Sequence, residues 1–137
     1  LSGCDAEIMT LATKIGHNIG IAYQIQDDIL DYAGNRHHTQ KPILEDVAEG
    51  VYSLPLILAL QTEQKLLKSY LKKKQKMTKT DILAVQKIVL ESGGVTKAQQ
   101  LSAEYTNEAL ALINQLPVSE SKEILTQLTS SLLTRNA

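Results

Sequence analysis

The chain contains no tryptophan, no phenylalanine, one cysteine, three prolines and seven glycines in 137 residues. Each scarcity excludes something. Without Phe or Trp the core has to be aliphatic, and 21 Leu and 12 Ile supply it, with five Tyr as the only aromatics. A lone Cys4 cannot build a disulfide framework, so a reducing compartment is the default, and no base is arranged beside it to make it a nucleophile. There is no excess of either charge: 14 Lys+Arg face 15 Asp+Glu, a net charge of -1. That balance gives no footprint for nucleic acid. With 43% apolar residues the chain is also too hydrophobic to be disordered. The longest apolar run, Leu54 to Leu60, is seven residues. A membrane span needs about 20. No secretory leader is visible, so a cytoplasmic location without stable membrane insertion is expected. The first residue is Leu1 rather than Met, which is compatible with a processed form, an engineered form or a piece of something longer.

What is present reads as all-α. Leu and Ala favour helix, and the few Gly and Pro residues stand between periodic segments. From about Asp5 to Ala33, Ile8, Leu11, Ile15, Ile19, Ala22, Ile25 and Ile29 recur at spacings of three or four, one stripe of a helix that stops at Gly34-Asn35. A polar loop, Arg36 to Glu45, follows. Asp46 with Glu49 three residues on is a capping-box pattern, and predicts one helix from Asp46 to about Leu71 with Pro55 in its early turns. Lys72 to Lys76 reads as a solvated helix end, where lysines suit the negative end of the helix dipole. Thr78 or Thr80 caps a helix over Ile82 to Leu90, closed by Gly93-Gly94. A longer helix covers about Thr96 to Leu116 before Pro117, and Ser119 or Ser121 caps a last one to about Thr134. Connections are short and no domain boundary is evident.

The chemistry lies on the first helix. At about 100° per residue, Gln24, Asp27, Asp28 and Asp31 fall in one arc opposite the apolar stripe, with Gly16 and Gly20 one and two turns earlier. Asp27 and Asp31 are i,i+4 neighbours, and Asp28 and Asp31 are i,i+3 neighbours, so like charges sit close together at a small cost in helix stability. Clustered carboxylates on a rigid element suit a hard cation. Mg²⁺ takes one or two carboxylates and completes its octahedron with waters and substrate phosphate oxygens. A phosphorylated substrate bridged by metal is therefore one reading. A solvent-facing acidic patch is the commoner origin of such a triplet. Lys41 lies just past the helix and could meet a diphosphate as a point charge; alone it reads as a solvated loop lysine. The adjacent His37 and His38, like His17 on the helix, read as surface or packing residues, and Arg135 as a helix-end charge.

Together these residues resemble a known family. Tyr23-Gln24-Ile25-Gln26-Asp27-Asp28-Ile29-Leu30-Asp31 is similar to the second aspartate-rich motif of trans-isoprenyl (polyprenyl) diphosphate synthases. The resemblance continues through Thr39-Gln40-Lys41-Pro42, Asp46 and Gly50-Val51-Tyr52-Ser53-Leu54-Pro55, then Gly93-Gly94, and spans the chain as that family's carboxyl-terminal half, residues 1–137. It implies an all-α isoprenoid-synthase fold and a prenyltransferase. In that family three Mg²⁺ ions, held between two aspartate-rich motifs, bind an allylic prenyl diphosphate. Its C–O bond ionises, isopentenyl diphosphate attacks the carbocation, and proton loss leaves a product five carbons longer. Carried over residue by residue, Asp27, Asp28 and Asp31 hold metal, with Asp27 and Asp31 the direct ligands, and Lys41 contacts the allylic diphosphate. Tyr23 and Gln24 lie beside the substrate. Asp46 matches an aspartate that supports the metal and lysine cluster, a role that competes with its capping role.

The sequence departs from the family pattern at Tyr23 (usually Phe), Gln40 (usually Gly), Val51 (often a second diphosphate lysine) and Ser53 (usually Thr). The first aspartate-rich motif is not in this chain. The resemblance therefore implies a fragment, inactive alone, that works with its missing amino-terminal half in a homodimeric or heterodimeric synthase. The alternative is a non-catalytic structural or regulatory subunit of a heteromeric synthase; an intact second motif favours the catalytic partner.

Overall fold

The computed structural model describes residues 3–33 and 45–134. Within them the protein is helical: α1 (Gly3–Ala33), α2 (Leu54–Leu60), α3 (Gln64–Leu71), a 3₁₀ turn (Lys74–Lys76), α4 (Lys79–Glu91), α5 (Gly94–Ile113) and α6 (Glu120–Thr134). No helix among the described residues is long and apolar enough to cross a membrane. The chain divides into two compact units. One is built from the first part of α1, the later part of α5, and α6; the other runs from Ile25 to Gln99.

α1 has 31 residues, about 46 Å at 1.5 Å per residue. Its buried stripe is Ile15, Asn18, Ala22, Ile25, Ile29 and Tyr32, the expected periodicity with a polar Asn18 and an aromatic Tyr32 added. Gly34 and Asn35, read as its stop signal, lie outside the described residues, as do Arg36 to Leu44.

In the first unit, small hydroxyl residues stand where larger aliphatics would separate the helices. Ser102 is buried and its Oγ donates to the carbonyl of Ala22 at 3.2 Å. Thr106 is fully buried and its Oγ1 donates to the Ser102 carbonyl at 2.9 Å. Such bonds are needed because a buried hydroxyl without a partner costs about 1–3 kcal/mol. α5 ends at Ile113, and Lys122 from α6 donates its ammonium to the carbonyls of Asn114 and Leu116 just beyond, satisfying groups that a helix end leaves open. Ser119 caps α6, accepting the Lys122 N–H at 3.1 Å.

In the second unit α2, α3 and α4 pack on one another. Leu56, Leu67, Ile82, Val85 and Val89 are fully buried between them. Each such side chain contributes roughly 1.5–3 kcal/mol by leaving water. The single helix expected from Asp46 to Leu71 is instead three pieces. Residues 45–48 form a helical turn. It ends at Gly50, whose φ of +79° is left-handed, and the Val51 N–H closes back on the Asp46 carbonyl at 2.8 Å. Asp46 sits inside this turn rather than capping its start. Pro55 then occupies the first turn of α2, where its missing N–H is harmless. Residues 61–63 break the helix again, with Glu63 at φ −117° and ψ 41°. Sequence periodicity is blind to these breaks because the apolar spacing runs on through them.

α4 begins with a full capping box. Thr78 Oγ1 accepts the Asp81 N–H at 3.2 Å, and Asp81 accepts the Thr78 N–H at 2.9 Å. Those bonds, and Lys73 at 3.0 Å, hold the Asp81 carboxyl below its ordinary pKa. α4 is closed by Gly93 at φ +85°, the left-handed position that glycine adopts without strain. Gly94 has a different duty. A Cβ there would sit 2.5 Å from the Pro55 carbonyl oxygen and 3.2 Å from the Ala59 Cβ. Only a hydrogen lets α2 and the start of α5 approach so closely.

Two outcomes follow. Gly94→Ala lowers stability by about 1–3 kcal/mol in a denaturant melt, because backbone must shift to admit the methyl. Thr129 is 1% exposed and its Oγ1 has no partner among the described residues. Thr129→Val keeps the shape and removes the stranded hydroxyl, and raises stability by about 1 kcal/mol.

Candidate functional site

The acidic residues occupy the last turns of α1. Asp27, Asp28 and Asp31 are each half-buried, and this helix has no basic residue in its last turn. Carboxylates at a helix C-terminus oppose the macrodipole, so local helix physics disfavours them here. Asp28 reaches across to α2: its Oδ2 accepts the Leu54 N–H at 3.4 Å, meeting one of the donors that the start of α2 leaves open. The Asp31 main chain is held from a third direction, by the Gln86 side-chain amide, which donates to its carbonyl at 3.3 Å.

Asp46 enters the same field. Burial, then Asp28, Asp46 and Asp27, push the Asp31 carboxyl above its ordinary pKa. Four carboxylates thus lie within electrostatic reach of one another, and Asp31 has no ion pair among the described residues. Beneath them Tyr32 is 4% exposed. Burial raises its phenol well above the ordinary value, and the Ser53 hydroxyl beside it pulls the other way.

The arrangement fits a hard cation: oxygen donors only, mutually repelling, with one carboxyl pushed toward its protonated form. Among the described residues no group of three or more His, Cys, Asp or Glu side chains is placed to hold a metal ion, so at most two carboxylates would serve one. A Mg²⁺ ion there would complete its shell with waters and phosphate oxygens, as that ion ordinarily does.

Tyr23 and Gln24 lie one turn earlier on α1 and are exposed, Tyr23 by 50%. Gly16 and Gly20 continue this face, and a Cβ at either would meet nothing within 4 Å among the described residues. Lys41, His37, His38 and Arg135 lie outside the described residues, so the diphosphate contact expected of Lys41 has no geometry here. Sequence reasoning missed three supports: the Leu54 N–H, Tyr32 and Gln86. Tyr32 was findable, since it extends the buried stripe from Ile25 and Ile29. Gln86 carries no local signal.

Residues 1–89 match the polyprenyl synthetase family. The chain belongs to this family. It is 34% identical over 135 residues to a decaprenyl-diphosphate synthase of Dictyostelium discoideum, covering 98% of this chain and 29% of that one. It is 33% identical to solanesyl diphosphate synthase 3, chloroplastic/mitochondrial, of Arabidopsis thaliana, covering 99% of this chain and 33% of that one. Among solved structures, a geranylgeranyl pyrophosphate synthase from Lactobacillus brevis complexed with citrate superposes with a TM-score of 0.89 at 50% identity, over 96% of this chain and 42% of that one. The Corynebacterium glutamicum geranylgeranyl pyrophosphate synthase complexed with calcium and isoprenyl diphosphate gives a TM-score of 0.79 at 27% identity, covering 93% and 40%. The chain therefore has the all-α fold of these synthases and spans about a third of the length of the curated relatives it matches.

For this polyprenyl synthetase chain the raised Asp31 pKa has a stability consequence. A carboxyl raised in the folded state adds stability that is complete below its unfolded pKa and lost as pH rises through the folded value. At neutral pH the ionised Asp31 therefore works against the fold. In metal-free buffer Asp31→Asn raises the melting temperature at pH 7 by roughly 1–2 °C, from relief of two like-charge helix pairs. The gain disappears by about pH 3, where the wild-type carboxyl is protonated too. A lower melting temperature at pH 7 would contradict this electrostatic picture.

Proposed function

We propose that the whole protein is a prenyltransferase that condenses isopentenyl diphosphate with an allylic prenyl diphosphate to make a polyprenyl diphosphate. The observation that carries this reading is the convergence of Asp27, Asp28 and Asp46 on Asp31 at the end of α1, in a chain of the polyprenyl synthetase family. Asp27 and Asp31 would hold Mg²⁺ directly. Asp28, with one oxygen given to the Leu54 N–H, fixes the carboxylate array against α2. Bound Mg²⁺ supplies positive charge to the departing diphosphate.

The chain's own residues do the rest by position. Tyr23 and Gln24 lie along the exposed face of α1, ahead of the acids, where a prenyl chain can lie beside the open flank at Gly16 and Gly20. Lys41 would add a fixed cation for the diphosphate. Asp27 and Asp31 would meet a cation from one rigid helix, so binding would spend little on ordering their backbone. Support for metal and substrate comes from the relative crystallised with calcium and isoprenyl diphosphate. The names of relatives include chloroplastic and mitochondrial forms, so the family occupies more than one compartment, and the cytoplasmic expectation rests on the sequence alone.

The test is Asp27→Ala in the whole protein. Turnover of isopentenyl diphosphate with an allylic diphosphate falls by about 10²–10³-fold, while the melting temperature without metal stays at or above that of the wild type. Mg²⁺ with inorganic diphosphate raises the wild-type melting temperature, and this rise is lost in Asp27→Ala. Wild-type turnover in the variant would refute the assigned role.

A further inference from the structure

The second unit carries a concentration of charge that the aspartate site does not use. Residues 65–79 contain seven lysines and no acid, half of the 14 cationic residues in the chain. Four of them, Lys65, Lys68, Lys72 and Lys74, line a cleft of about 620 Å³ whose floor includes Leu60 and Leu71. None of the four forms an ion pair among the described residues. Lys73 is spent locally, on Asp81 at 3.0 Å and over the Tyr70 ring at 5.7 Å. The cleft lysines come from both α3 and the turn after it, and the turn is made by Lys74 itself, at φ +49°. A lysine in the left-handed region is strained where a glycine would not be, so a cation is kept at the rim against the backbone's preference. On α3 beside them, Leu66 is 47% exposed.

We propose that this face, α3 with the Lys72–Lys74 turn, docks on an anionic lipid surface. Charge complementarity selects the partner: clustered lysines without ion pairs among the described residues, on an amphipathic helix, attract anionic headgroups, while the exposed Leu66 of the same helix meets the acyl boundary. A free phosphate has no use for an exposed leucine beside the lysines. A single nucleic-acid strand is ordinarily held by a series of aromatic faces for stacking, and among the described residues lining the cleft Tyr52 is the one aromatic.

The experiment is co-sedimentation of the whole protein with vesicles of phosphatidylcholine alone, and of phosphatidylcholine with about a third phosphatidylglycerol. Binding occurs only to the anionic vesicles and is abolished at about 0.5 M salt. Each lysine near such a surface is worth roughly fivefold in partitioning, so Lys65→Gln/Lys68→Gln/Lys72→Gln/Lys74→Gln weakens binding by at least ~50-fold. Leu66→Ser weakens it without changing the charge. Lys14→Gln/Lys87→Gln/Lys97→Gln, removing exposed lysines elsewhere, leaves it within about twofold of wild type. The quadruple variant keeps its prenyltransferase turnover with soluble substrates and its melting temperature. Equal binding to both vesicle types overturns the proposal. So does wild-type binding by the quadruple variant, displacement from vesicles by millimolar inorganic diphosphate, or capture of an RNA oligonucleotide in preference to vesicles. Because the readout is sedimentation, the outcome is independent of the reading of the aspartate site.

Discussion

Like-charge crowding at the end of α1 is the constraint on which the site depends. Asp27, Asp28 and Asp31 fall in the last turns of a helix with no basic residue there, and Asp46 adds its field. The macrodipole is negative at that end, so these acids meet an unfavourable helix potential as well as one another. Residues chosen for helix stability would be lysine or arginine in that turn. On the proposed cation-binding reading this broken local rule is the cost of keeping the carboxylates together, and the raised carboxyl of Asp31 is its physical trace.

The remainder of the second unit keeps those carboxylates in place. α2 begins where Asp28 can take the Leu54 N–H, and α2 starts there because Pro55 fixes its first turn and Gly50 ends the turn before it. The other end of the arrangement rests on Gly94, where a hydrogen in place of a methyl allows α5 to approach the Pro55 carbonyl. Gln86 ties the Asp31 carbonyl to α4, whose own start is secured by Thr78 and Asp81. Among these supports, the Leu54 N–H acts on one carboxylate oxygen and Gln86 acts on backbone.

Much of this was legible in the sequence. The apolar stripe of α1 was readable because a 3.6-residue period survives without tertiary context, and Ile15, Ala22, Ile25 and Ile29 are buried as that period requires. The caps were readable to within a pair of residues, Thr78 or Thr80, Ser119 or Ser121, and Gly93-Gly94, because each depends on local chemistry, and the structure selects Thr78, Ser119 and Gly93. The acid arc followed from spacing alone. What was not legible depends on contacts between distant elements. The breaks in the stretch from Asp46 to Leu71 come from a left-handed Gly50 and from packing of α2, α3 and α4, while the apolar pattern continues through them. The Leu54 N–H is a backbone group that any sequence possesses, and Gln86 lies 55 positions from Asp31.

Net charge was the least informative of the sequence quantities. A value of -1 gave no footprint for nucleic acid, but it averages over opposed local concentrations, two of which lie within the second unit. One is the carboxylate group around Asp31; the other is the lysine-rich segment from Lys65 to Lys79. At physiological salt a charge is felt over about 8 Å, so a ligand at either place meets the local sign and little of the total. The acid group sits at a helix end against the dipole, and the lysines include one on a strained turn, so neither distribution follows from helix stability alone. The proposed cation site and the proposed lipid-facing surface are therefore compatible in a chain whose composition points to neither.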